Sequence, residues 1–98
     1  MSLEDTSGIL PVRFEFNEFK SRINKRKHGI DFVEAQALWL DKGRVEAAAR
    51  SDPEPRTLMV GQLGGRHWSA IITYRGDVIR LISVRRSRAR EVAIYEDK

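Results

Sequence analysis

The sequence predicts an α+β fold with two N-terminal helices packed on an antiparallel sheet of about four to five strands and a short C-terminal helix. Three observations carry the architecture. After one short alternating strand, helical spacing dominates the first part of the chain. From Arg44 onward, period-two alternation and branched side chains replace it. Two turns, Gly64-Gly-Arg66 and Arg75-Gly-Asp77, then separate three strands by gaps short enough for antiparallel hairpins. Elements segregated in this way describe an α+β sandwich, with the helices on one sheet face and the other face available for a ligand.

In chain order, Met1 to Pro11 lacks periodicity and reads as a flexible leader ahead of a single domain over residues 12–98. Val12 to Phe16 alternates apolar and charged residues, the period of a half-buried strand. Asn17 is an N-cap for a helix from Glu18 to Lys27. That helix sets Phe19 and Ile23 toward the core, carries Lys20, Asn24 and Lys27 on a separate polar stripe, and ends at Gly29. Asp31 and Glu34 have capping-box spacing and start a second helix, Phe32 to Leu40, whose many apolar positions imply burial on most sides. A turn at Asp41-Lys-Gly43, a weak strand over Arg44 to Ala49 and a polar corner at Ser51 to Pro55 follow. The firmer strands are Arg56 to Leu63, His67 to Tyr74 and Val78 to Val84. Ser87 is a candidate N-cap for the last helix, which places Ala89, Val92, Ala93 and Tyr95 on or near one side.

Ninety-eight residues with 41% apolar content support one domain with a modest core. The chain has no cysteine, so neither a disulfide framework nor a cysteine-based zinc site is available. No run approaches the roughly 18 apolar residues of a membrane span, and the acidic first residues do not match an export signal, which leaves the cytoplasm as the default location. The two histidines lie far apart, and no HExxH, Walker loop, dinucleotide fingerprint or GxSxG occurs. Neither a metal nor a nucleotide cofactor is expected.

The net charge of +4 is unevenly spread. Lys20 to Lys27 and Arg80 to Arg90 each hold five basic residues and no acid, together ten of the 18 Lys and Arg. Arg85, Arg86 and Arg88 crowd the start of the last helix, where the macrodipole disfavours cations. An anion would reverse that cost, because backbone N–H groups and guanidiniums would converge on one phosphate-sized volume. The alternative, of equal weight, is that these arginines solvate a surface or pair with carboxylates. Strand alternation sets Arg80 across the sheet from Arg85.

Other candidates are weaker. His28 sits at a helix C-terminus, where a protonated imidazole is favoured but a cap is the commoner role. His67 reads as structural or solvent-facing. Glu54 and Arg56 flank Pro55 on one side of an extended chain, to pair or to share a site. Trp39 belongs to the core, Trp68 to either the core or a stacking platform, and Tyr74 and Tyr95 are half core and half hydrogen-bonding.

Arg, Lys and His without a metal or a nucleophilic side chain suit RNA cleavage. RNA carries its own nucleophile, the 2'-hydroxyl, so the protein has only to align the attack, stabilise the phosphorane charge and move protons.

Phe14-Glu-Phe16, Asn24-Lys-Arg-Lys-His-Gly-Ile-Asp-Phe32, Glu54-Pro-Arg56 and Arg80-Leu-Ile-Ser-Val-Arg-Arg86, with Glu91 and Tyr95, together resemble the BrnT toxins of bacterial type II toxin-antitoxin systems. The resemblance spans Val12 to Tyr95. It implies a RelE-like fold, ribonuclease activity that arrests growth, and neutralisation by a BrnA-like ribbon-helix-helix antitoxin, in a heterotetramer that binds operator DNA through the antitoxin. The family's motif positions fall here on Lys27, His28, Arg56, Arg85 and Arg86. The leader is longer than usual, and Phe16 stands where the family usually has Trp. The resulting expectation is a metal-independent endoribonuclease. Arg85 and Arg86 stabilise the transition state, Arg56 and Lys27 position the backbone, and His28 assists proton transfer. Lys20, Asn24, Arg80 and Arg88 add RNA contacts. The rival is a basic module that binds nucleic acid or docks a partner without cutting.

Overall fold

The computed structural model describes residues 13–49 and 54–97; the predicted leader, Met1 to Pro11, and part of the corner after Ala49 lie outside the described residues. The elements are β1 (Arg13–Glu15), α1 (Glu18–His28), a 3-10 helix (Glu34–Leu40), β2 (Val45–Ala49), β3 (Arg56–Leu63), β4 (Arg66–Arg75), β5 (Val78–Arg86) and α2 (Ala89–Glu96). The strands form one five-stranded sheet in the order β1-β5-β4-β3-β2. The α+β class holds, but the sheet is mixed. The three pairings from β2 to β5 are antiparallel, whereas β1 runs parallel to β5, with Phe14 opposite Ile79. Parallel neighbours need a long crossover, and everything from α1 to β4 supplies it.

Asn17 caps α1 as its sequence position predicts, its Oδ1 accepting from Lys20 N–H at 3.0 Å, and Gly29 ends the helix at φ 83, a left-handed conformation that suits glycine. The orientation of α1 reverses the expectation. Phe19 is 63% exposed and Ile23 is 36% exposed, while Ser21 and Asn24 are buried. The cause is hydrogen bonding at the free edge of β5. The Asn24 amide donates to the carbonyls of Ile30 and Val84, each at 2.8 Å, and accepts from Val84 N–H at 3.2 Å. Ser21 Oγ accepts from Phe32 N–H at 2.9 Å. Beyond Glu15, β1 no longer pairs with β5, so these backbone groups would be orphaned against an apolar helix face.

The second predicted helix is a 3-10 helix rather than an α-helix. Its capping box is present: Asp31 Oδ1 accepts from the N–H groups of Val33 and Glu34, and Glu34 accepts from Asp31 N–H. Phe32, Ala35 and Leu38 recur every third residue, matching three residues per turn, and all three are buried. Val33 and Leu40 remain exposed, so the segment buries one side rather than most of its circumference. With Trp39 it packs on Met59, Trp68, Ala70, Ile72, Ile79, Leu81 and Val84 of the sheet. Edge-on ring pairs tie in the first strand, Phe14 on Trp39 at 5.1 Å and Phe16 on Phe32 at 5.6 Å.

Ile71 pairs with Ser83 and Ile72 with Leu81, so Ile82 is an extra residue, a β-bulge. It overturns the alternation argument for Arg80. The partners of Arg80 and Arg85, Thr73 and Ser69, lie four residues apart on β4, an even spacing that puts both arginines on one sheet face. α2 begins one residue later than expected, with Arg88 rather than Ser87 at the N-cap. Ser87 instead extends the strand ladder, donating its N–H to the His67 carbonyl at 3.0 Å, while its Oγ lies 2.7 Å from Ser69 Oγ. α2 covers one end of the sheet face that carries Ser69. The rest of that face, with half-buried Leu58, Ile71 and Ser83, has no helix over it among the described residues.

Candidate functional site

The ends of α1 and β5 lie side by side. α1 leaves β1, which runs parallel to β5 with Glu15 level with Arg80, and Asn24 is bonded to Val84. The helix therefore advances in the direction of β5. One turn past Asn24, roughly 6 Å along the axis, comes His28. Two residues past Val84, roughly 7 Å along the strand, comes Arg86. Motif residues nearly sixty positions apart in sequence thus share one end of the molecule, with Asn24 as the strut between their elements.

Lys27, His28 and Arg86 are exposed there. Arg86 shares its sheet face with its cross-strand partner Trp68, over whose ring its guanidinium carbon sits at 5.7 Å from the centroid. No carboxylate pairs with Arg86 among the described residues. Trp68 is at once a core residue and the platform that fixes this cation.

Arg85 points to the other face and is differently placed. Glu91, in the first turn of α2, takes it in a two-pronged ion pair with both contacts at 2.8 Å. The same carboxylate accepts from Ser69 Oγ at 2.8 Å and from Arg88 N–H at 2.9 Å. The Arg85 ion pair, aided by the Arg88 and Ser69 hydrogen bonds, holds the Glu91 carboxyl down at about 2 despite its burial. The pair also raises Arg85. The anion that an arginine-rich helix start calls for is thus already supplied by the chain itself. Arg85 donates a further bond to the Arg86 carbonyl at 3.2 Å, which leaves two of a guanidinium's five N–H groups for a ligand.

Beside this network His67 stacks edge-on against Tyr95 at 4.8 Å, its Nε2 buried without a partner. The Tyr95 hydroxyl donates to Asp41 at 2.8 Å, a bond that raises the phenol's pKa.

Arg56 and Arg80 stand apart, toward the other end of β5. Arg80 pairs with Glu15 at 3.2 Å, and Arg75 pairs with Glu15 at 3.4 Å and Glu54 at 3.8 Å. Glu54 therefore meets Arg75, not Arg56. Arg56 keeps a buried Nε with no hydrogen-bond partner. From Arg80 to Arg85 the strand advances about 15 Å.

The sequence-selected residues accordingly divide. Lys27, His28 and Arg86 lie at the ends of α1 and β5, Arg85 and Arg88 turn to the opposite face beside α2, Arg56 and Arg80 lie back along that open face, and Lys20 sits in the first turn of α1. Asn24 is buried with its amide committed to backbone groups, so it shapes the site from below. Sequence reading assigned no role to Glu91 or Ser69. The signal for Glu91 was present, an acid three residues after Arg88 at the helix N3 position and six after Arg85. Among the described residues no cluster of three or more His, Asp or Glu is placed to hold a metal ion, and no helix is long and apolar enough to cross a membrane.

Comparison with known families places this arrangement. The family model for the ribonuclease toxin, BrnT, of type II toxin-antitoxin systems matches residues 16–91, from Phe16 at the core's edge to Glu91 beneath Arg85. No curated protein matches the chain. Membership implies an RNA substrate and an antitoxin partner, and the chain belongs to the BrnT family of type II ribonuclease toxins.

Proposed function

We propose that this toxin is a metal-independent endoribonuclease, RelE-like in its use of a sheet and an adjoining helix, that cuts RNA at the junction of α1 and β5. The observation that supports this reading is that Lys27, His28 and Arg86 come level at the ends of α1 and β5, which the Asn24 strut ties together. In this reading the substrate's 2'-hydroxyl attacks the neighbouring phosphorus and the bond to the 5'-oxygen breaks, leaving a 2',3'-cyclic phosphate and a 5'-hydroxyl. Arg86 faces the developing phosphorane charge, and Arg85, fixed on the opposite sheet face, offers its two remaining N–H groups to a flanking phosphate. His28 transfers a proton, and Lys27 positions the backbone. Arg56, Arg80, Arg88 and Lys20 contact flanking phosphates, in keeping with the spread of charge along the sheet. A BrnA-like ribbon-helix-helix antitoxin holds the toxin inactive in a heterotetramer that reaches operator DNA through the antitoxin, and the pair acts in the cytoplasm.

The test is incubation of purified protein with naked RNA in EDTA, with analysis of the new 3' ends. Cleavage to cyclic phosphate, or to the 3'-phosphate that follows it, is expected from wild type and not from Arg86→Ala. Intact RNA with a salt-sensitive mobility shift would move the assignment to a binding module.

A further inference from the structure

The outward side of α1 is built against the usual logic of a surface helix. Phe19 and Ile23 face solvent, Val33 on the following turn is equally open, and together they line a groove of about 470 Å³ between α1 and that turn. Large apolar side chains left in water forgo the gain of burial, so a contiguous apolar strip of this kind marks a contact surface.

Its α1 side carries two open cations. Arg22 and Arg26 line the groove and carry no ion pair among the described residues, whereas Lys25 is neutralised by Glu34 at 2.9 Å. Of the two acids in the lining, Asp31 caps the turn with its Oδ1, and Glu18 sits in the first turn of the helix. The groove lies along α1 ahead of Lys27 and His28, and none of its lining residues is among those assigned above to RNA.

We infer that this groove is where the antitoxin docks, through an amphipathic segment of net negative charge that lays apolar side chains against Phe19, Ile23 and Val33 and acids against Arg22 and Arg26. The inference rests on the toxin reading above and deepens it by naming the surface of inhibition. RNA is a poorer occupant, because the centre of the groove is aliphatic and aromatic rather than cationic. Docking here sets the partner against α1 within about two helical turns of Lys27 and His28, close enough to close off the RNA site.

The experiment uses the purified product of the gene adjoining the toxin's as the probe, titrated calorimetrically into wild type, Phe19→Asp/Ile23→Asp and Arg22→Glu/Arg26→Glu, beside RNA cleavage in EDTA with and without the probe. The two apolar replacements are on the surface and should leave cleavage intact, while lowering probe affinity on the order of 100-fold or more, as hot-spot losses do, and abolishing neutralisation. The charge reversals should slow association and remove its salt dependence.

Wild-type affinity in Phe19→Asp/Ile23→Asp would overturn the groove and leave the toxin reading standing. Cleavage lost from that variant at equal folding would make the groove an RNA surface, and a wild-type dimer that the variant breaks would make it a self-contact; either overturns the inference. If wild type neither cuts RNA nor binds the probe, the toxin reading itself fails and the inference falls with it.

Discussion

Replacing Glu91 by Gln tests the ion pair that closes β5 against α2. Glu91 has 10% and Arg85 25% of its side chain exposed, so the pair is largely shielded from water. A carboxyl brought from its ordinary 4.5 to about 2 on folding corresponds to about 3 kcal/mol of linked stability. The sign follows from the depression. The contribution is complete above the unfolded value and is lost as pH falls through the folded one, so it disappears between about 4.5 and about 2. Gln keeps one acceptor oxygen but leaves Arg85 without its counter-ion, for an expected loss at pH 7 of about 2–4 kcal/mol. In a domain of this size that is roughly a 10–20 °C fall in Tm. Thermal melts of wild type and Glu91→Gln from pH 7 to pH 2 should show a gap that is wide at neutrality and closes in acid. A gap under about 0.5 kcal/mol at pH 7, the range of ordinary surface changes, or one that persists unchanged at pH 2, would mean that the ion pair does not stabilise the fold.

Three further outcomes are expected. Asn24→Leu should cost about 2–4 kcal/mol in urea unfolding, because it strands the carbonyls of Ile30 and Val84 and the Val84 N–H inside the protein; a loss below 1 kcal/mol would deny it the role of strut. Arg86→Ala should lower RNA cleavage on the order of 100 to 1000-fold with stability changed by about 0.5 kcal/mol or less, as circular-dichroism melts would register. Burial and the bond to Glu46 push the Tyr74 phenol up to about 12, so in an ultraviolet titration Tyr74→Phe should remove the last phenolate to appear.

Local signals were legible where chemistry is local. Asn17 and Gly29 bound α1 as their residue types require, the Asp31–Glu34 box formed, and both hairpins sit at their glycine turns. What failed depended on partners distant in sequence. Helical spacing put Phe19 and Ile23 inside because apolar residues four apart ordinarily face a core. The edge of β5 left open by a three-residue β1 reversed that choice, and it is visible only once β1 is known to pair with β5. The bulge at Ile82 carries no residue signature, yet it decides which face Arg80 shares. Period-three spacing in Phe32, Ala35 and Leu38 was readable as a 3-10 pattern but is contained within an ordinary helical one. For the site, the basic stretches and the histidine at the helix end could be found from composition and capping. That Glu91 would engage Arg85, leaving Arg86 as the open cation, required the fold.

RNA binding where α1 and β5 end can be mapped by nuclear magnetic resonance with a short RNA carrying 2'-deoxy sugars, which lacks the attacking hydroxyl and so stays intact while bound. Amide and side-chain shifts should concentrate at Lys27, His28, Arg85, Arg86 and the Trp68 indole, with weaker ones trailing along Arg80 and Arg56. Shifts confined to Phe19, Ile23 and Val33, or to the Arg56–Arg80 face with Arg86 and Trp68 unmoved, would contradict binding there.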